Sequence, residues 1–181
     1  THAAGGGREM TANVETAALW DLFAANAALL RADLLRAAAV EEAGQLIADA
    51  AGRPAWVPPL DARFPTLAQR WPPASRGEPP VAEVVTAGAF AIAETGSVAV
   101  TAPAAARAAC FLAERLWLLV PASDIVPTLD AAVARVAALV RDGAAHVTFM
   151  SGPSRTADIE RVLTIGVHGP RALVVVVVGG C

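Results

Sequence analysis

The chain has 181 residues, 55% of them hydrophobic, with 14 basic against 17 acidic side chains and a net charge of −3. That length fits one domain with a real core, and the acidic balance offers no basic stripe to displace nucleic-acid counterions. All 14 basic residues are arginine, so a Walker phosphate loop and Schiff-base chemistry, both of which need lysine, are excluded.

Two cysteines, Cys110 and Cys181, and three scattered histidines, His2, His146 and His168, fall short of a cluster or zinc ligand set. The expectation is a chain that binds no cofactor or metal of its own and, lacking a disulfide framework, works in a reducing cytoplasm. The mean hydropathy of +0.49 comes largely from alanine, and no apolar run is long enough to span a membrane.

Residues 1–10, "THAAGGGREM", lack the pattern of a secretory leader and read as a flexible lead-in to a single domain over 11–181. Residues 11–52 read as helix, from the helical spacing of Leu19, Phe23, Leu30 and Leu34, with a possible break at Gly44 and a stop at "AGRP". Residues 53–80 carry eight prolines interleaved with Trp56, Phe64 and Trp71. Such aromatics predict an irregular segment packed onto the domain.

An α/β core is expected over 81–181. "AFAIAE" and "SVAV" predict short strands around a glycine turn, and 104–115 a helix. "LWLLV" predicts a strand. The spacing from Thr128 to Arg141 predicts a helix with an apolar stripe of Val133, Val136, Ala137 and Val140, stopped by Gly143. "HVTFM" predicts a strand, "TADIERV" a short helix, and "ALVVVVV" a strand apolar on both faces, as in a buried parallel sheet. The alternation predicts an α/β fold, a mostly parallel sheet with flanking helices, whose ligands bind at the carboxyl ends of its strands.

Three stretches gather the residues that could carry chemistry. "SGPSRTADIE" opens with Ser151, Gly152, Pro153 and Ser154, a turn that lets backbone approach closely. Ser154 or Thr156 would cap the following helix, with Asp158 and Glu160 in its first turn. Those acids disfavour a polyphosphate and favour a polar or singly charged ligand; the alternative is an ordinary capped turn. "AETGS" supplies Glu94, a candidate nucleophile or general base, with Thr95, Gly96 and Ser97 as ligand-binding neighbours. Its alternative is a hairpin turn with a solvated glutamate. "GVHGP" supplies His168, a candidate proton donor or ligand anchor beside Gly169, or else a turn histidine satisfied by a carbonyl. Glu94, Ser151, Gly152, Thr156 and His168 are expected to converge at one crevice of the sheet.

Taken in order, "AIAETGS", "SGPSRTADIE" and "GVHGP" before a valine strand resemble the LUD domain, and specifically the lactate utilisation protein C family. The resemblance implies a fold like that of the glucosamine-phosphate isomerase, ribose-phosphate isomerase and CoA-transferase group. It also implies a role in oxidising L-lactate to pyruvate, as a cluster-free component beside partner subunits that hold iron–sulfur clusters. The alternative is a stand-alone enzyme acting on a small carboxylate, thioester or sugar phosphate, with Glu94 as nucleophile or base.

Overall fold

The computed structural model describes residues 6–51, 53–74, 82–157, 163–165 and 169–181. The chain opens with α1 (Gly6–Leu29), β1 (Asp33–Ala37) and α2 (Val40–Ala51), followed by β2 (Ala55–Trp56), α3 (Leu60–Arg63) and α4 (Pro65–Ala68). Then come β3 (Glu83–Ala87), β4 (Phe90–Ile92), β5 (Ser97–Val100), α5 (Ala104–Leu112) and β6 (Arg115–Pro121). The chain finishes with β7 (Ile125–Val126), α6 (Leu129–Arg141), β8 (Thr148–Met150), β9 (Arg155–Ala157), β10 (Leu163–Ile165) and β11 (Ala172–Val178).

Five strands form a parallel sheet in the order β1-β11-β6-β3-β2. Its central strand, β6, pairs over seven residues with the valine run of β11. β-branched side chains suit this position, buried on both faces, and each fully buried valine or leucine contributes about 1.5–3 kcal/mol. A second sheet, β7-β4-β5-β8, mixes parallel and antiparallel pairs.

One face of the parallel sheet packs Val85, Trp117, Leu119 and Val176 against Ile47, Leu60, Phe64 and Leu67 of α2 to α4. The other packs Leu116, Leu118 and Val175 against Phe23 of α1, Cys110 of α5 and Val98 of the second sheet. α6 lies on the far side of that second sheet, through Ala132, Val136 and Leu139. Among the described residues no helix is long and apolar enough to cross a membrane.

Several expectations are corrected. The lead-in is helical from Gly6, and residues 1–5 lie outside the described residues. Residues 11–51 hold two helices around a strand, and residue 52 lies outside the described residues. Arg31, at φ 61°, turns the chain after α1, and pairing of β1 with β11 overrides the helix propensity of its leucines. The α/β core therefore starts at Asp33, not at 81. Gly44 does not break α2; it faces Leu67 and Arg70, where a side chain would collide. The proline-rich segment contributes β2 and two short helices to the packed structure, and Phe64 and Trp71 are buried.

α6 buries a different stripe from the one expected. Val133 is 62% and Val140 56% exposed, while Ala132, Val136 and Leu139 face inward. "TADIERV" is no helix at its start: Arg155–Ala157 is a strand paired antiparallel with Leu163–Ile165. Thr156 therefore caps no helix.

Candidate functional site

The turn from Ala93 to Gly96 joins β4 to β5, and α1 grips it. Asn26 Nδ2 donates to the carbonyls of Ala93 (2.8 Å) and Glu94 (3.0 Å). Gly96 has φ +65°, and a Cβ there would lie within 2.7 Å of Ala27 Cα. Only glycine allows that approach. The Glu94 carboxylate accepts the Leu129 N–H at 2.7 Å, and the Thr128 hydroxyl accepts the Ala131 N–H at 3.2 Å. Both satisfy orphan donors at the start of α6, where an anion is favoured. Glu94 is thus engaged as a helix cap. Thr95 Oγ1 is buried with no hydrogen-bond partner among the described residues.

β5 runs antiparallel to β8, so the start of one lies beside the end of the other. This brings Ser97 Oγ to 2.7 Å from Ser151 Oγ. Gly152, at φ +123°, presses its backbone onto the Leu30 carbonyl after α1. The Ser154 N–H donates to the Pro170 carbonyl at 2.8 Å, and a Cβ on Gly169 would touch Ser154.

These contacts enclose an open groove of about 150 Å³ lined by Phe111, Thr148, Phe149, Met150, Ser151, Gly152, Ser154, Gly169 and Pro170. A smaller chamber of about 10 Å³, lined by Val100, Ala102, Arg107 and Cys110, shares Phe111, Thr148 and Met150 with it. Burial pushes the Cys110 thiol up to about 12, so it remains protonated and inert at neutral pH.

The groove lies at the rim opposite to the expected one. Leu30, Phe111 and Pro170 shortly precede β1, β6 and β11, so the groove sits at the amino ends of the parallel strands. Met150 does end a strand, but that strand belongs to the second sheet. At the carboxyl rim, Arg63 and Arg135 instead share the Asp124 carboxylate, tying α3 to α6.

Of the residues singled out in the sequence, Ser151, Gly152, Ser154 and Gly169 line the groove and Ser97 touches Ser151, with Pro153 within the same loop. Glu94, Thr95 and Gly96 lie in the adjoining turn, and the Glu94 carboxylate is bound to α6. Asp158 and His168 lie outside the described residues, as does the side chain of Thr156. Asn26, Arg107 and Phe111 were not singled out. The signal for Asn26 is an amide three residues after Phe23 in an alanine- and leucine-rich helix, where such residues are unfavourable without a partner.

The family model for the LUD domain matches residues 82–178, just over half of the chain, and spans all three motifs. The chain belongs to the LUD domain family. Among curated proteins, this LUD domain is 42% identical over 111 residues to Lactate utilization protein C of Deinococcus radiodurans, covering 60% of this chain and 52% of that protein. It is 35% identical over 121 residues to Lactate utilization protein C of an Exiguobacterium strain, covering 64% and 53%. The chain spans about half the length of these curated relatives. The crystal structure of a DUF162 family protein from Deinococcus radiodurans superposes with a TM-score of 0.68 at 28% identity, covering 91% of this chain and 98% of that one.

Proposed function

We propose that this LUD domain serves a lactate-utilisation system in the cytoplasm, binding a small ligand in the groove beside Ser151 and acting with iron–sulfur partner subunits while holding no cofactor itself. Similarity to proteins named Lactate utilization protein C supports the lactate role. The contact of Ser97 Oγ with Ser151 Oγ carries the site, because it joins two family motifs beside the groove. Ser151, Ser154 and Thr148 offer hydroxyls, Gly152 and Gly169 keep the walls close, and Thr95, Gly96 and Pro153 shape the turns behind them. Thr156, Asp158 and His168 belong to the same ligand-binding set in this reading. The buried Cys110 thiol is a poor cluster ligand, which supports leaving redox chemistry to partners. An acyl-transfer role for Glu94 loses support, since its carboxylate caps α6.

A host strain lacking the gene should fail to grow on L-lactate as sole carbon source and recover with the wild-type gene. Ser151→Trp, which fills the groove from an exposed position, should not restore growth although the protein folds. Normal growth of the deletion strain overturns the lactate role. Rescue by Ser151→Trp overturns the site.

A further inference from the structure

The apolar arc of α6 is wider than the sheet beneath it. Ala132, Val136 and Leu139 cover the second sheet, while Leu129, Val133 and Val140 are exposed, as is Ala137. At 100° per residue the four exposed side chains fall within about 80° of one another, a continuous stripe beside the buried one. Asp130, in the first turn, and Arg141, in the last, border this stripe on the same side. Both are exposed, and neither forms an ion pair among the described residues. They stand eleven residues apart, about 16 Å along the axis.

We propose that this stripe is a self-association surface, on which α6 of a second copy packs antiparallel about a two-fold axis. The charges choose both the occupant and the direction. With the axis passing between Arg135 and Val136, Asp130 of each copy stands opposite Arg141 of the other, so both ends of the contact carry an ion pair. A parallel pair would set Asp130 against Asp130 and Arg141 against Arg141. The antiparallel arrangement also opposes the two helix dipoles. Near the axis, the exposed Ala134 of one copy meets Ala137 of the other, and such small side chains allow an interaxial distance toward the short end of about 8–10 Å. Val133 and Val140 then lose their water on either side of that crossing. The exposed ion pairs fix orientation and add little affinity. A helix of 13 residues is about 20 Å long and offers less than the roughly 800 Å² per partner of a standard interface. The dimer is therefore weak and reversible, with a dissociation constant on the order of 100 µM.

Sedimentation of the full chain from about 10 µM to about 1 mM tests this. The wild type should pass from monomer to dimer over that range. Val133→Glu, at an exposed position, should stay monomeric with an unaltered melting temperature. Asp130→Arg and Arg141→Asp should each weaken association at least about tenfold, because each sets like charges opposite one another at both ends. An equimolar mixture of those two variants should associate as the wild type does, since each then offers the other the opposite charge; this recovery shows that both remain folded. A wild type that stays monomeric at about 1 mM overturns the proposal and leaves the stripe to a different protein. A Val133→Glu protein that still dimerises, or a mixture that associates no better than its components, overturns it as well.

Discussion

The parallel sheet and the second sheet are secured by different means. In the first, β6 and β11 run side by side for seven residues, and their side chains are covered by helices on one face and by α1, α5 and the second sheet on the other. In the second, strands of two to four residues depend on turns held by single contacts: Gly96 against the α1 backbone, Asn26 on two carbonyls, Gly152 on Leu30, Glu94 on α6. Apolar area spread over many side chains tolerates a change of shape if volume is kept. A turn fixed by one backbone approach does not tolerate one added methyl. The groove is built on the second kind of support, so its geometry is sensitive to substitutions that touch no ligand.

The largest effect is expected in the parallel sheet. Leu118→Ala should cost up to about 5 kcal/mol by opening a cavity, whereas Leu118→Met should cost less than about 1.5 kcal/mol; chemical denaturation of both variants gives the comparison. Gly96→Ala adds a single methyl and should cost about 3 kcal/mol, the sum of a left-handed conformation and forced displacement of α1. A Gly96→Ala protein as stable as Leu118→Met would dissolve the distinction between the two sheets.

Next comes pH. The Cys110 thiol is raised from 9.0 to about 12 by burial. The native state holds this proton more tightly than the unfolded chain, so its stabilising contribution is complete below pH 9 and is lost as pH rises toward 12. At pH 10 the loss should be roughly 1.4 kcal/mol relative to pH 7. Cys181 is also raised by burial and acts in the same direction. The test therefore compares Cys110→Ala with Cys110 in a Cys181→Ser background, and the decline between pH 8 and pH 10 should flatten. The smallest effect belongs to the α6 cap: Thr128→Ala should cost about 1 kcal/mol. It should lower the melting temperature in thermal denaturation.

The central sheet was readable because its strands are unbroken apolar runs: "LWLLV" and "ALVVVVV" admit few other placements. α6 was bounded by Thr128 and Gly143, yet its buried stripe was misread. The helix carries two apolar stripes, and periodicity alone does not say which one meets a sheet. β1 was hidden because "DLLRA" continues the leucine spacing of the helix before it; only pairing with β11 makes it a strand. At the site, "AETGS" and "SGPS" were read as neighbours, and Ser97 does meet Ser151. The rim differs from the expected one because Met150 ends a strand of the second sheet and not of the parallel one. Arg107 carries no local pattern and becomes visible only through the elements that pack around it.

The pairing of β1 with β11 has a practical consequence for dissecting this chain. The family match begins at residue 82, but residues 33–37 cover one whole edge of the valine strand. A fragment trimmed to 82–178 would present "VVVVV" as an open edge, uncharged and free of proline, the kind of segment that recruits further copies into cross-β aggregates. The strand β1 therefore acts as a guard rail along Val174–Val178, and a fragment lacking it is expected to aggregate more readily than the full chain.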